Sequence, residues 1–233
     1  MNIQSFARRL LVALTAGIAL CAAPFALATT VTLHPTGFAN GFEENFDFTG
    51  EPFPSVRTGG FTGTLDLSLT PITFFCFDLG HTFSFGNPYQ YDDSIVSGGK
   101  YDELSQLFNE GFSTATSTAD FSAGFQLAVW EILMESPPPP SSVSTGTFYV
   151  TNDHGNPGAV TQANLLLSGL SLYAPTYDIH LLHSLDTNPA HQDFVYGTFT
   201  LKQVPEPAPL LLIGTALAAM LFSLRLVGAK RRS

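Results

Sequence analysis

Apolar and polar residues alternate with period two across residues 59–70. Phe61, Leu65, Leu67 and Leu69 fall on one face, and Thr62, Thr64, Asp66, Ser68 and Thr70 on the other. That pattern predicts a half-buried strand. Gly63 lies among the apolar positions, adds no side chain there and marks a place for a bulge. After Pro71, residues 72–79 (ITFFCFDL) are almost all apolar or aromatic, which suits a strand buried on both faces. Residues 82–85 are expected to continue or pair with it. Shorter strands are predicted at 30–34, 147–151, 177–182 and 194–201.

Three segments change period. Residues 120–135 carry Phe121, Phe125, Ala128, Val129 and Ile132 at helical spacing, with Ser117-x-x-Asp120 as a start signal and Pro137–Pro140 as a stop. Residues 100–110 and 159–172 are shorter helix candidates, and no internal repeat interrupts the series. The expected fold is α+β: a mostly antiparallel sheet or sandwich with two or three packed helices.

The two ends read as addresses. Residues 1–28 have Arg8 and Arg9, then an uncharged apolar stretch, then Ala26-Leu27-Ala28. A charged start, a short apolar run and a small-x-small site predict a cleaved secretory signal peptide. Cleavage leaves the body, residues 29–203, with Cys76 as its one cysteine. Residues 204–233 begin with Val204, Pro205, Glu206 and Pro207, continue with apolar residues 208–224, and end on Arg225, Lys230, Arg231 and Arg232. Seventeen apolar residues reach the lower limit of a bilayer-spanning helix, and the basic end is expected on the cytoplasmic side. This ordered trio resembles the PEP-CTERM sorting signal of Gram-negative bacteria that make extracellular polysaccharide. The resemblance implies an exosortase-type processing enzyme as partner, a transient inner-membrane anchor, and delivery to the cell surface or matrix.

Charge excludes one class of partner. The body holds three basic residues (Arg57, Lys100, Lys202) against eighteen acidic ones. Nucleic-acid affinity is built on Lys and Arg neutralising phosphates, so no nucleic acid is expected. Eighteen of the twenty-one Phe lie in the body, and burying them requires a folded core rather than a disordered chain.

Six histidines invite a metal reading. His180 and His183 are three apart in a predicted strand and so face opposite ways, and one thiol falls short of a zinc set. Asp92-Asp93 and Asn152-Asp153 offer hard oxygens without an EF-hand pattern. Neither a metal nor a cofactor is expected.

Cys76 admits three readings: a buried small hydrophobe, a catalytic thiol with His81 as base, or one half of an internal Cys–Gln thioester. In the third, the helix over 120–135 packs on the strand and brings Gln126 to the Cys76 sulfur. Such a stored acyl group survives only where aromatic walls exclude water, and Phe74, Phe125 and Trp130 are the candidates for those walls. FCFDL at 75–79 and FQLAVWEIL at 125–133 resemble the two signatures of thioester domains on bacterial surface adhesins: an aromatic before the cysteine, and a Gln followed three and four residues later by an aliphatic and a Trp. The resemblance implies adhesion through a covalent bond to a partner amine. Such a bond forms once without turnover, so no enzyme is expected. The alternative is a non-covalent structural or carbohydrate-binding module of a biofilm or exopolysaccharide matrix.

Overall fold

Aromatic side chains at alternate positions build the strands, and proline, glycine and Asx turns end them. A computed structural model describes residues 29–50, 55–66, 68–136, 142–187 and 190–199. The chain divides into two compact units, Met1–Thr198 and Phe199–Ser233. The expected signal peptide, the Val204–Pro207 motif, the apolar segment after it and the basic tail all lie outside the described residues. Among the described residues no helix is long and apolar enough to cross a membrane.

The strands are β1 (Thr29–Phe38), β2 (Glu44–Phe48), β3 (Val56–Thr58), β4 (Phe61–Leu65), β5 (Ile72–Cys76), β6 (Tyr89–Val96), β7 (Val150–Asn152), β8 (Tyr177–Ser184) and β9 (Phe194–Phe199). Six of them close into a barrel in the order β1-β4-β5-β9-β8-β6, and β3-β2-β7 form a second, small sheet. The recorded pairings are antiparallel. The helices are α1 (Lys100–Gly111), α2 (Ala119–Met134) and α3 (Pro157–Gly169), the last followed by a 3-10 turn at Leu170–Leu172. The architecture is therefore α+β and mostly antiparallel, with a closed barrel where an open sheet or sandwich was expected. Closure removes two sheet edges that would otherwise stand unpaired.

Inward-facing rings fill the barrel. Phe74 lies 4.8 Å from Phe194 and 5.7 Å from Phe61 between centroids, and Tyr91 lies 5.7 Å from Phe194. Each buried ring of this kind contributes about 1.5–3 kcal/mol relative to exposure. The bulge falls opposite Gly63 rather than on it: Pro35 pairs with Gly63 and Gly37 with Thr62, so Thr36 is the extra residue. A Cβ on Gly63 would sit 2.5 Å from the His34 carbonyl oxygen, so the close approach of β1 requires glycine.

Two strand expectations need correction. The run 59–70 stops being a strand at Leu65, because Asp66 turns to φ 52°. Asp66 exchanges bonds with Thr32, its N–H donating to the Thr32 carbonyl at 2.6 Å and its Oδ1 accepting from the Thr32 N–H at 2.8 Å. A local Asp acceptor competes with the ladder, and Leu69 ends up 97% exposed. Residues 82–85 form no strand. Phe83 and Phe85 pack their rings on Phe61 and Phe38 from a loop.

Helix α2 is buried on all sides from Ser122 to Ile132 and contacts α1, α3, β2, β3 and β5, as expected of a helix apolar around its whole circumference. Its cap is Thr118, not Ser117: Thr118 Oγ1 accepts from the Phe121 N–H at 3.2 Å. At Gly124 a Cβ would meet Gln162 Cβ at 2.7 Å and the Ala159 carbonyl oxygen at 2.9 Å. Helices α2 and α3 therefore approach backbone to backbone at that point.

Candidate functional site

The site begins with a gap in the barrel ladder. Phe61 pairs with Phe74 at the start of β4. Before it the chain turns away: the Gly60 N–H donates to Ser122 Oγ at 2.9 Å, and the Gly60 carbonyl accepts from the Ala39 N–H at 2.7 Å. Strand β5 runs on past that point to Cys76, which pairs with Phe194 of β9. The Phe77 N–H donates to the Asp193 carbonyl at 2.9 Å. By the alternation of an antiparallel ladder, Phe75 and Phe77 then direct their backbone groups toward β9, while Phe74 and Cys76 direct theirs toward β4. At Cys76 there is no β4 left to receive them.

Gln126 fills the vacancy. Its Oε1 accepts from the Cys76 N–H at 2.7 Å, and its Nε2 donates to the Cys76 carbonyl at 2.9 Å. The side-chain amide thus stands in for the missing peptide of β4, in the second turn of α2. Gln126 is fully buried, and Cys76 is buried with a free thiol. The sequence-predicted pair, fifty residues apart, meets.

The carboxamide carbon is held beside the Cys76 main chain, and its oxygen is polarised by the Cys76 N–H. A polarised carbonyl is the electrophile that acyl transfer needs, and the thiol of the same cysteine is the candidate nucleophile. Burial, with the Asp78 charge adding, pushes the Cys76 thiol well above the ordinary thiol range. The thiol is therefore protonated at neutral pH, and any attack by sulfur requires a base to take that proton.

The three candidate wall residues take different places. Phe74 faces the barrel interior with Phe61 and Phe194. Phe125 packs tilted against Phe75 at 4.6 Å and edge-on to Phe108 at 5.2 Å, anchoring α2 on the outer face of β5. Trp130, four residues after Gln126 and so on the same helical face, is fully buried, with Phe48 edge-on at 5.2 Å. Its Nε1–H has no hydrogen-bond partner among the described residues, an uncommon state for a buried donor.

Cys76 and Trp130 both line a cleft of about 260 Å³. Phe38, Phe61, Phe83 and Phe85 wall it, and its polar lining includes Arg57, Asp78, His81 and Gln192. Asp78 organises the turn after β5. Its Oδ1 accepts from the backbone N–H of Gly80 at 2.9 Å and of His81 at 3.1 Å, and its Oδ2 accepts from the Asp193 N–H at 3.0 Å. The His81 Nδ1 lies 3.1 Å from the same Oδ1. Gln192 Nε2 donates to the Asp78 carbonyl, and the Arg57 guanidinium pairs with Glu43 while lying 4.8 Å over the Phe38 ring. Sequence reasoning named His81 and missed the rest of this rim. The Asp-x-x-His spacing across Gly80 was the available signal, since an Asx turn brings those two side chains together.

Three further histidines bond carboxylates. His154 bonds Asp47 at 2.9 Å, His180 bonds Asp93 at 2.9 Å, and His183 bonds Asp193 at 2.8 Å. Asp93 also accepts from the Tyr196 hydroxyl at 2.7 Å, tying β6, β8 and β9 together. Among the described residues no group of three or more His, Cys, Asp or Glu is placed to hold a metal ion.

No protein-family model matches this sequence, and no curated protein matches it. Two solved structures are similar to it in fold. One is the N-terminal domain of the Streptococcus pyogenes pilus tip adhesin Cpa, at 10% identity and a TM-score of 0.47, with 76% of this chain and 97% of that chain covered. The other is the N-terminal thioester domain of a surface protein from Clostridium perfringens, at 12% identity and a TM-score of 0.43, with 74% of this chain and all of that chain covered. Likeness at this level does not carry chemistry from one chain to another. What Cys76 and Gln126 can do rests on their own geometry.

Proposed function

We propose that this chain is an exported surface protein whose barrel domain stores an acyl group as a Cys76–Gln126 thioester and spends it once on a partner. The observation that carries this reading is the two-point clamp of the Gln126 carboxamide on the Cys76 backbone. In closure, the Cys76 sulfur adds to the Gln126 carboxamide carbon, the thiol proton passes to the departing nitrogen, and ammonia leaves. The Cys76 N–H remains as donor to the acyl oxygen, and the unpartnered Trp130 Nε1–H is a second donor available one helical turn away. A nucleophile on the partner then attacks the acyl carbon, and Cys76 departs as thiolate. With an amine the product is an isopeptide-type crosslink. The residue acts once, so the protein is a single-use linker and not an enzyme.

The addresses read from the sequence complete the proposal. The signal peptide exports the chain, the apolar segment after Val204-Pro205-Glu206-Pro207 holds it in the inner membrane, and an exosortase-type enzyme releases it to the surface or polysaccharide matrix. The test of the chemistry is methylamine. The full chain in mild detergent should gain methylamine at Gln126 and release a titratable thiol at Cys76, and Cys76→Ala should abolish both. A freely titrating Cys76 in the untreated native protein would refute the thioester.

A second reading has its own observation. As a surrogate for the missing β4 peptide, Gln126 already has a complete structural task, and the buried thiol is held protonated. On that reading the domain is a non-covalent structural or carbohydrate-binding module, and its aromatic cleft binds without reacting.

A further inference from the structure

We infer that Thr198 is a second nucleophilic site, one that accepts acyl groups from small carboxylic esters, with His180 as the base that takes its proton and Asp93 as the residue that positions the base. The inference does not depend on the Cys76–Gln126 thioester and concerns the other end of the barrel.

Neighbouring strands carry these residues on one face. Asp93 of β6 stands opposite Leu182 of β8. His180 lies two residues along β8 from Leu182, on the same face. Tyr196 and Thr198 follow Phe194 at alternate positions of β9 and so share its face. Leu182, Phe194 and Tyr196 are buried, and Thr198 is exposed. The row therefore runs from the core to a mouth of the barrel, a place where barrels commonly hold their ligands. Strand β9 begins beside Cys76, which pairs with Phe194. Thr198, four residues on, lies about 13 Å along the strand from that pair.

The direction of each hydrogen bond defines the chemistry. The Tyr196 hydroxyl donates to Asp93 Oδ2 at 2.7 Å. Burial, with the Asp93 carboxylate beside it, holds this phenol well above its ordinary range, so it remains a donor. His180 Nδ1 lies 2.9 Å from Asp93 Oδ1. A carboxylate only accepts, so Nδ1 carries the hydrogen, and the neutral ring holds its lone pair on Nε2. Thr198 Oγ1 lies 3.1 Å from Nε2 and donates to it. A hydroxyl bonded to an imidazole that a third group orients is the arrangement that activates a nucleophile. The ring plane is fixed by stacking on Tyr196 at 4.4 Å and 22°. The His180 and Asp93 side chains are only 15% and 14% exposed, so little water competes for their bond.

The step balances. Thr198 Oγ1 bonds to the carbonyl carbon of the ester while its proton passes to His180 Nε2. The carbon–oxygen bond to the alcohol breaks, the proton moves from Nε2 to the departing oxygen, and the alcohol leaves. An acyl ester at Thr198 and a neutral His180 result.

The test uses the full chain in mild detergent, carrying Cys76→Ala to remove that thiol as a rival nucleophile. p-Nitrophenyl acetate reports the rate through released p-nitrophenolate. Diisopropyl fluorophosphate, which labels activated hydroxyls by displacement of fluoride, reports the position through peptide mapping. The label should fall on Thr198. Thr198→Ser should keep the p-nitrophenolate rate. His180→Gln should slow it about a hundredfold, within the range of general base catalysis, and Thr198→Val should slow it at least as much. Asp93→Asn should slow it as well, and Asp93→Glu should recover part of that loss, because the longer side chain restores the carboxylate though not the packing. Changes at His180 and Asp93 also loosen the barrel mouth, so Thr198→Val, an exposed replacement of the same shape, is the deciding variant. Label on lysines or tyrosines with none on Thr198, or a Thr198→Val rate equal to that of its parent, would overturn the inference and leave the thioester reading where it stands.

Discussion

In a Cys76→Ala background, where no thioester can close and the Gln126 nitrogen stays in place, replacing Gln126 with Leu removes both clamp bonds while keeping an apolar side chain of similar length. The Cys76 N–H and carbonyl, inside the barrel wall, then lose the partners they have at 2.7 and 2.9 Å. A buried polar group left unpaired costs about 1–3 kcal/mol. Two such groups, with partial relaxation of β4 toward the gap, put the loss at about 2–5 kcal/mol. For a domain of this size each kcal/mol lowers the thermal midpoint by about 2–4 °C, so that midpoint should fall by about 4–20 °C. Cys76→Ala is the matched comparison. It leaves the clamp in place, because the bonded groups are main chain, and removes roughly one methylene's worth of buried surface for about 1 kcal/mol. Urea unfolding of the full chain, followed by tryptophan fluorescence from Trp130, measures both variants, and an unchanged slope shows that the shift is one of stability. A Gln126→Leu midpoint within experimental error of the Cys76→Ala midpoint would refute the ladder-surrogate account.

Glu44 is held up at about 7 by burial and by the neighbouring Asp120 carboxylate. The native state therefore keeps a proton that the unfolded chain gives up near pH 4.5, so stability falls as pH rises from about 4.5 to about 7. Glu44→Gln should remove that decline, and thermal midpoints across pH 5–8 that fall equally in both proteins would contradict it. Gly124→Ala drives a methyl into Gln162 and the α3 backbone, so denaturant titration should show a loss of about 1–3 kcal/mol. Thr118→Ala should cost about 1 kcal/mol through the lost cap, and Ser117→Ala should cost within about 0.5 kcal/mol of nothing. Equal losses from the two would return the cap to Ser117.

Helix α2 and strand β5 were legible because their residues leave no other choice. Apolar helical spacing over sixteen residues carries a buried run from Ser122 to Ile132, and the five-residue run of Ile, Thr, two Phe and Cys buries Phe74, Phe75 and Cys76. The barrel was not legible. Strand β6 reads YQYDDSIV, with only Tyr89 and Tyr91 buried, and its acids look like a loop until His180 and Tyr196 arrive from distant segments to bond Asp93. Strand β2 did carry a signal, the alternation of Phe46 and Phe48 within ENFDF, and it was passed over among flanking Gly and acidic residues. Motif and helical phase brought Gln126 to Cys76. They were silent on how the two meet, because the clamp exists only where β4 leaves the ladder at Gly60, and nothing local to either residue encodes that departure. The cleft likewise depends on Phe83 and Phe85, whose side chains pack correctly from a loop that alternation alone reads as a strand.

The central claim is that Cys76 and Gln126 close into a stored acyl bond, and the intact mass of the untreated native protein tests it most directly. A protein one ammonia lighter than its processed sequence, taking up one water on hydrolysis to leave a carboxylate at position 126 and one thiol at Cys76, is the predicted result. A protein of full sequence mass with a Gln126 carboxamide intact would contradict it and leave the pair as a hydrogen-bonded seam in the barrel wall.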